Sequence, residues 1–244
     1  IAMEVGHRFV AILLGLLIVL ITLIAYRFEA YRRYRGLSLV CMVIVVIQGI
    51  LGGLTVTMLL WPPVVTFHLL VGNLLFGLLV YLSWLTLQPR TERSSRDKVL
   101  TPPWISPLGK RVSWMLVLLL VIVASGGYNS STYSGYACEA FPGCHEGGSF
   151  SFGMSSMEFF ENTFPQAPEE MQGKFLPVYA NEWVHMLHRL FAVVGGTLMM
   201  MMAWAWLIRQ PLPSLRKTGW WVMILIPLEV LVGIANALLR VPIP

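Results

Sequence analysis

The sequence predicts an all-α membrane protein, a helical bundle with six transmembrane helices in this chain, and three observations carry that class. The 244 residues are 57% hydrophobic and only 12% charged, whereas water-soluble domains hold about a quarter of their residues as charges. Apolar runs of roughly 20 residues recur along the chain, each long enough to cross the hydrocarbon of a bilayer, and the mean hydropathy is +0.71. Basic residues collect in alternate loops. Together these exclude a soluble enzyme, a disordered chain and a transmembrane β-barrel of weak alternating strands.

The spans fall at about 5–26, 37–60, 64–87, 112–128, 183–208 and 219–239. The fourth is the weakest, because its apolar run from Trp114 to Ala124 borrows flanking residues to reach the required length. Arg27, Arg32, Arg33 and Arg35 lie between the first and second spans. Arg90, Arg93, Arg96, Lys98, Lys110 and Arg111 lie between the third and fourth, and Arg209, Arg216 and Lys217 between the fifth and sixth, so thirteen of the seventeen basic residues share one side. The loop 129–182 carries Glu139, Glu146, Glu158, Glu161, Glu169, Glu170 and Glu182 against Lys174 alone. By the positive-inside rule the basic loops face the cytoplasm, or the matrix in a mitochondrion, and the acidic loop faces outside. The net charge of +5 is then an orientation signal, and a nucleic-acid partner loses its main support.

An internal repeat organises the spans. Residues 4–11 resemble residues 185–192, with His7 and His188 separated by 181 positions, and the same offset pairs Arg8 with Arg189, Gly15 with Gly196, Gly52 with Gly233 and Pro63 with Pro244. Four crossings separate the two His-Arg pairs, so the halves are parallel, related by an axis along the membrane normal. The domains are a half at 1–111 and a half at 112–244 that includes the outer loop. His68 predicts a histidine near position 249, and a helix before Ile1. The full-length protein would then hold eight helices as two four-helix halves.

His7, His68, His185 and His188 all fall in the first turns of helices that begin at the outer face, at one depth. Ionisable residues seldom enter a span without a function, and a histidine from each of two bundle helices gives bis-histidine ligation of haem iron. His7 with His68 would hold one haem, and His188 with the histidine near 249 a second. Arg8 and Arg189 would pair with haem propionates or simply snorkel to the interface. Glu4, three residues before His7, lies on the same helix face, where a carboxylate relays a proton beside the haem edge. Its repeat partner is His185, so the halves are chemically unequal. Glu229 sits well inside the sixth span as a proton-network or structural residue. Cys138 and Cys144, in the outer loop around Pro142-Gly143, form a disulfide or, short of ligands, bind zinc with His145. Cys41 reads as a packing residue.

Glu4-x-x-His7-Arg8, His68 after a Pro turn, Gly135-Tyr136-Ala137-Cys138 with Phe141-Pro142-Gly143-Cys144, and then His188-Arg189 together resemble the haem A synthase family, in order and over essentially the whole chain. The resemblance implies a bacterial inner or plasma membrane enzyme that oxidises the C8 methyl group of haem O to the formyl group of haem A for terminal oxidases. It implies that His7 and His68 flank the substrate haem iron, that Glu4 assists oxidation, that His188 ligates a haem b cofactor, and that Cys138 and Cys144 are the outer-loop pair. Haem O synthase and an electron acceptor would be its partners, and a homo-oligomer stays open. The chief competitor is a di-haem b-type electron-transfer subunit without haem-modifying activity, against which Glu4 discriminates. A transporter of parallel repeats explains the bundle but not the matched histidines.

Overall fold

The computed structural model describes residues 2–87, 106–138, 143, 144 and 178–239. They are helical, with no strand among them. The elements are α1 (Ala2–Arg27), a 3-10 turn (Glu29–Tyr34), α2 (Arg35–Thr57), α3 (Pro62–Leu87), α4 (Pro107–Ser131), a short 3-10 turn (Ser134–Tyr136), α5 (Val178–Leu190), a π-helical segment (Phe191–Gly195), α6 (Gly196–Ala203), a second π segment (Trp204–Ile208) and α7 (Pro213–Leu239). Among the described residues six helical stretches are long and apolar enough to cross a membrane: Val5–Arg27, Glu29–Thr57, Pro62–Leu87, Pro107–Ser131, Asn181–Ile208 and Pro213–Asn236. The chain is an integral membrane protein. Outward-facing Phe9, Phe76, Trp114 and Leu231, a liability in water, are what a lipid-facing surface requires.

Three spans begin well before the expected positions, at Glu29, Pro107 and Pro213, and side-chain capping accounts for the first two. The fourth begins at Pro107 because the Ser106 hydroxyl accepts from the Gly109 N–H at 2.9 Å and proline at the first helical position loses no bond it would otherwise make. The second takes in the 3-10 turn because Arg35 closes the end of α1. Its Nε donates to the Ala25 carbonyl at 2.9 Å and its Nη2 to the Tyr26 carbonyl at 3.1 Å, satisfying carbonyls that a helix C-terminus leaves open. Glu29 pairs with the same Nη2 at 3.0 Å.

The described residues fall into two compact units. One holds α1, α2 and α3 from Phe67 onward; the other holds residues 59–66 and the elements from α4 to α7. In the first unit Ile18, Cys41 and Leu75, one from each helix, form the buried core. Thr22, buried on α1, donates to the Ile18 carbonyl at 2.9 Å and to the Ser38 carbonyl of α2 at 3.2 Å. In a low-dielectric core a hydroxyl must find such partners. In the second unit Met115, Ala203 and Leu207 are the core. Small residues set its helix spacing: a Cβ at Gly195 would fall 2.8 Å from Ile122 Cδ1, and one at Gly196 would fall 3.0 Å from Ile226 Cγ2. Membrane helices use such positions to approach closely when no water drives them together.

The chain between α2 and α3 turns through Leu59 and Leu60, both left-handed at φ 51 and 60. Bulky side chains disfavour that region. The turn ends at Pro62, which starts α3 and fixes where His68 enters the span.

Candidate functional site

His7 and His68 belong to the first unit. His7 lies near the start of the Val5–Arg27 span and His68 near the start of Pro62–Leu87. His7 is exposed and His68 half-buried. The His68 ring rests on α2: a Cβ at Gly52 would sit 3.5 Å from its Cε1. Its Nδ1 is buried and has no hydrogen-bond partner among the described residues. Beside it Gln48 donates through Nε2 to the backbone carbonyl of His68 at 3.0 Å. The amide reaches that carbonyl because Gly72, one turn further along α3, has no side chain; a Cβ there would come within 2.6 Å of the Gln48 nitrogen. The role of Gln48 as a clamp on the His68 turn was not legible in the sequence. Glu4 lies on α1, but its side chain falls outside the described residues.

In the second unit His185 and His188 lie one turn apart on α5 and are used differently. His185 is buried, at 5% exposed, and its Nε2 accepts from Arg189 Nε at 3.1 Å. A guanidinium is always a donor, so the Nε2 lone pair of His185 is committed. His188 instead meets Ser125 of α4, with 3.0 Å between Nδ1 and Oγ. Its Cε1 edge faces Gly126, where a Cβ would approach to 3.0 Å. Arg189 also donates through Nη1 to the carbonyl of Gly143 at 2.8 Å. Gly143 belongs to the loop that the disulfide between Cys138 and Cys144 closes, and the two sulfurs are buried with Met186. Zinc with His145 is replaced by that disulfide; His145 itself lies outside the described residues. Ser134, buried, donates to Asn181 Oδ1 at 2.8 Å and ties the 3-10 turn to α5.

The π segment Phe191–Gly195 begins two residues after Arg189. Such bulges frequently accompany functional positions in helices. Glu229 is an exposed residue of α7, and Cys41 is buried and free, as a packing residue should be. Ser125 and Gly126 were missed as site residues; a Ser-Gly-Gly run (Ser125–Gly127) inside an apolar span was the available signal.

The residues fit haem as a ligand. A neutral imidazole with one nitrogen hydrogen-bonded offers the other to iron. His188 has that form, and the glycine beside its ring leaves space that a Cβ would fill. His68 offers a buried, unpartnered ring nitrogen.

The fold and these histidines define an integral membrane protein of helical-bundle type with imidazoles set into the starts of its spans. The chain belongs to the cytochrome oxidase assembly protein family (COX15-CtaA), whose model matches residues 1–244. It is also 31% identical over 245 residues to the haem A synthase of Shewanella oneidensis, an alignment covering 99% of this chain and 68% of that protein.

Proposed function

We propose that this protein is a haem A synthase, an oxidoreductase that converts the C8 methyl group of haem O to a formyl group. The observation that carries the reading is the match along the whole chain to a haem A synthase, in a protein whose histidines stand at helix starts in both units.

Two successive two-electron oxidations, each adding a hydroxyl group from water to the methyl carbon and releasing two electrons to the acceptor and two protons, give a gem-diol that loses water to leave the aldehyde. In this reading the half at 1–111 takes haem O between His7 and His68, with Glu4 accepting a proton as the methyl carbon is oxidised. The half at 112–244 holds haem b through His188, and haem b when bound supplies an electron-transfer centre. The commitment of His185 to Arg189 supports His188 as the ligand of that pair. Arg8 and Arg189 stand one residue past their histidines, where guanidinium groups pair with propionates. The acidic loop 129–182 with its disulfide faces the outside of a bacterial inner or plasma membrane, where thiols oxidise. Haem O synthase delivers the substrate, and a separate acceptor takes the electrons.

The test is expression of the full-length protein with haem O, followed by extraction and mass identification of the haems. Wild type yields haem A. Glu4→Ala retains bound haem and makes none. Bound haem b with no conversion under competent reducing and oxidising conditions would overturn the reading in favour of an electron-transfer subunit.

A further inference from the structure

Ser125 lies on α4 with its hydroxyl 3.0 Å from Nδ1 of His188 on α5. That hydroxyl already has a use for its hydrogen, which it donates to the Ile122 carbonyl one turn back at 2.8 Å. Serines in apolar helices make this bond because no water is at hand to accept instead. A hydroxyl has one hydrogen and two lone pairs. With the hydrogen spent on Ile122, the group facing His188 is a lone pair, so Nδ1 of the imidazole must carry the proton and donate it. The lone pair of the neutral ring then resides on Nε2.

Gly126 completes the slot. A Cβ at that position would stand 3.0 Å from His188 Cε1 and 3.6 Å from each ring nitrogen. The ring therefore presents its Cε1 edge to the α4 backbone, with the two nitrogens on either side of it. One residue sets the tautomer, and its neighbour leaves room for the ring.

We infer that Ser125 is a positioning residue, holding His188 as the Nδ1–H tautomer so that Nε2 is the atom presented to iron. The inference deepens the proposed function and rests on its assignment of His188 as a haem ligand. Partners on the distal nitrogen of a ligating histidine fix ring orientation and raise its basicity. His68 differs, for its Nδ1 is buried without a partner among the described residues and Gln48 is spent on the backbone carbonyl rather than the ring. The two imidazoles are thus tuned unequally. A fixed ligand suits a resident cofactor, and an unfixed one suits a haem that must leave once converted.

The test uses full-length, haem-loaded protein in detergent with the variants Ser125→Ala, Ser125→Thr and His188→Ala. Haem content is measured, together with the midpoint potential, the low-spin electron paramagnetic resonance spectrum and the rate of haem transfer to apomyoglobin. His188→Ala loses one haem, which identifies the signal to follow. In Ser125→Ala that same haem transfers about tenfold faster, its midpoint potential rises as the ligand becomes less basic, and its resonance shifts. Ser125→Thr, which keeps the hydroxyl, restores all three. If His188→Ala keeps the full haem complement, the ligand assignment itself fails and the inference falls with it. If His188→Ala loses a haem but Ser125→Ala matches wild type, the inference alone is overturned, as it is if the threonine variant behaves like alanine.

Discussion

Arg189 donates to the carbonyl of Gly143 at 2.8 Å, and that carbonyl lies inside the loop closed by Cys138 and Cys144. The guanidinium next to His188 in sequence is thereby strapped to the segment that the disulfide closes. With a sequence separation of six, the crosslink removes only a small loop's entropy from the unfolded chain, about 2 kcal/mol.

Replacing both cysteines by serine therefore lowers stability by about 2 kcal/mol, and it also frees the Gly143 carbonyl from its place. Thermal unfolding in detergent, with and without dithiothreitol, measures the first effect. The reduced wild type and the double serine variant unfold together if the crosslink is the cause. A double variant as stable as the oxidised protein would show that Arg189 alone holds the loop.

His185 and His188 separate cleanly in their expected behaviour. His185→Ala removes the acceptor that Arg189 Nε uses but no ligand, so the protein keeps its haem complement. Its cost is an unsatisfied buried donor, about 1–3 kcal/mol. Haem-to-protein stoichiometry checks this, and loss of a haem equivalent in His185→Ala would reverse the roles of the two histidines.

The spans were legible because hydropathy is a property of the residues themselves, and the bilayer demands long apolar helices whatever their neighbours are. The histidines stood out for the same reason, as polar groups where few are tolerated. What no periodicity revealed was which groups meet across helices. Ser125 and His188 are 63 positions apart, and their contact depends on the relative rotation of α4 and α5. The tie between Arg189 and Gly143 joins positions 46 apart and follows no repeat in the sequence. The early start of α4 was written in Ser106-Pro107, a capping signal overlooked because the apolar run begins later.

Glycine-to-alanine changes beside the two rings have unequal outcomes. At Gly52 the new methyl meets His68 Cε1 at 3.5 Å, ordinary contact distance, and alanine is the better helix former by about 1 kcal/mol. Gly52→Ala is accordingly neutral or slightly stabilising. At Gly126 the methyl meets His188 Cε1 at 3.0 Å, and overpacking of that kind costs about 1–3 kcal/mol, which offsets the propensity gain and displaces the ring. Gly126→Ala loses haem from the His188 site, while Gly52→Ala retains its haem. Equal retention in both, measured by the haem absorption of purified protein, would mean that the rings have room to move.

Gln48 and Gly72 act as one unit, since the amide of the first occupies the space the second leaves open. Alanine at 72 brings a methyl within 2.6 Å of the Gln48 nitrogen. The amide is the far end of a flexible side chain and swings away, so the cost is the lost bond to the His68 carbonyl rather than a clash. That bond contributes about 0.5–1.5 kcal/mol. Gln48→Ala loses the same bond and adds a small cavity. The double variant should then be no less stable than Gln48→Ala alone, because the bond is lost only once. Gln48→Glu is worse than either, since an ionised carboxylate has no hydrogen to give and faces the His68 carbonyl oxygen. Unfolding measurements on wild type, Gly72→Ala, Gln48→Ala and the double variant close the cycle, and strictly additive losses at 48 and 72 would show that the two positions are not coupled through His68.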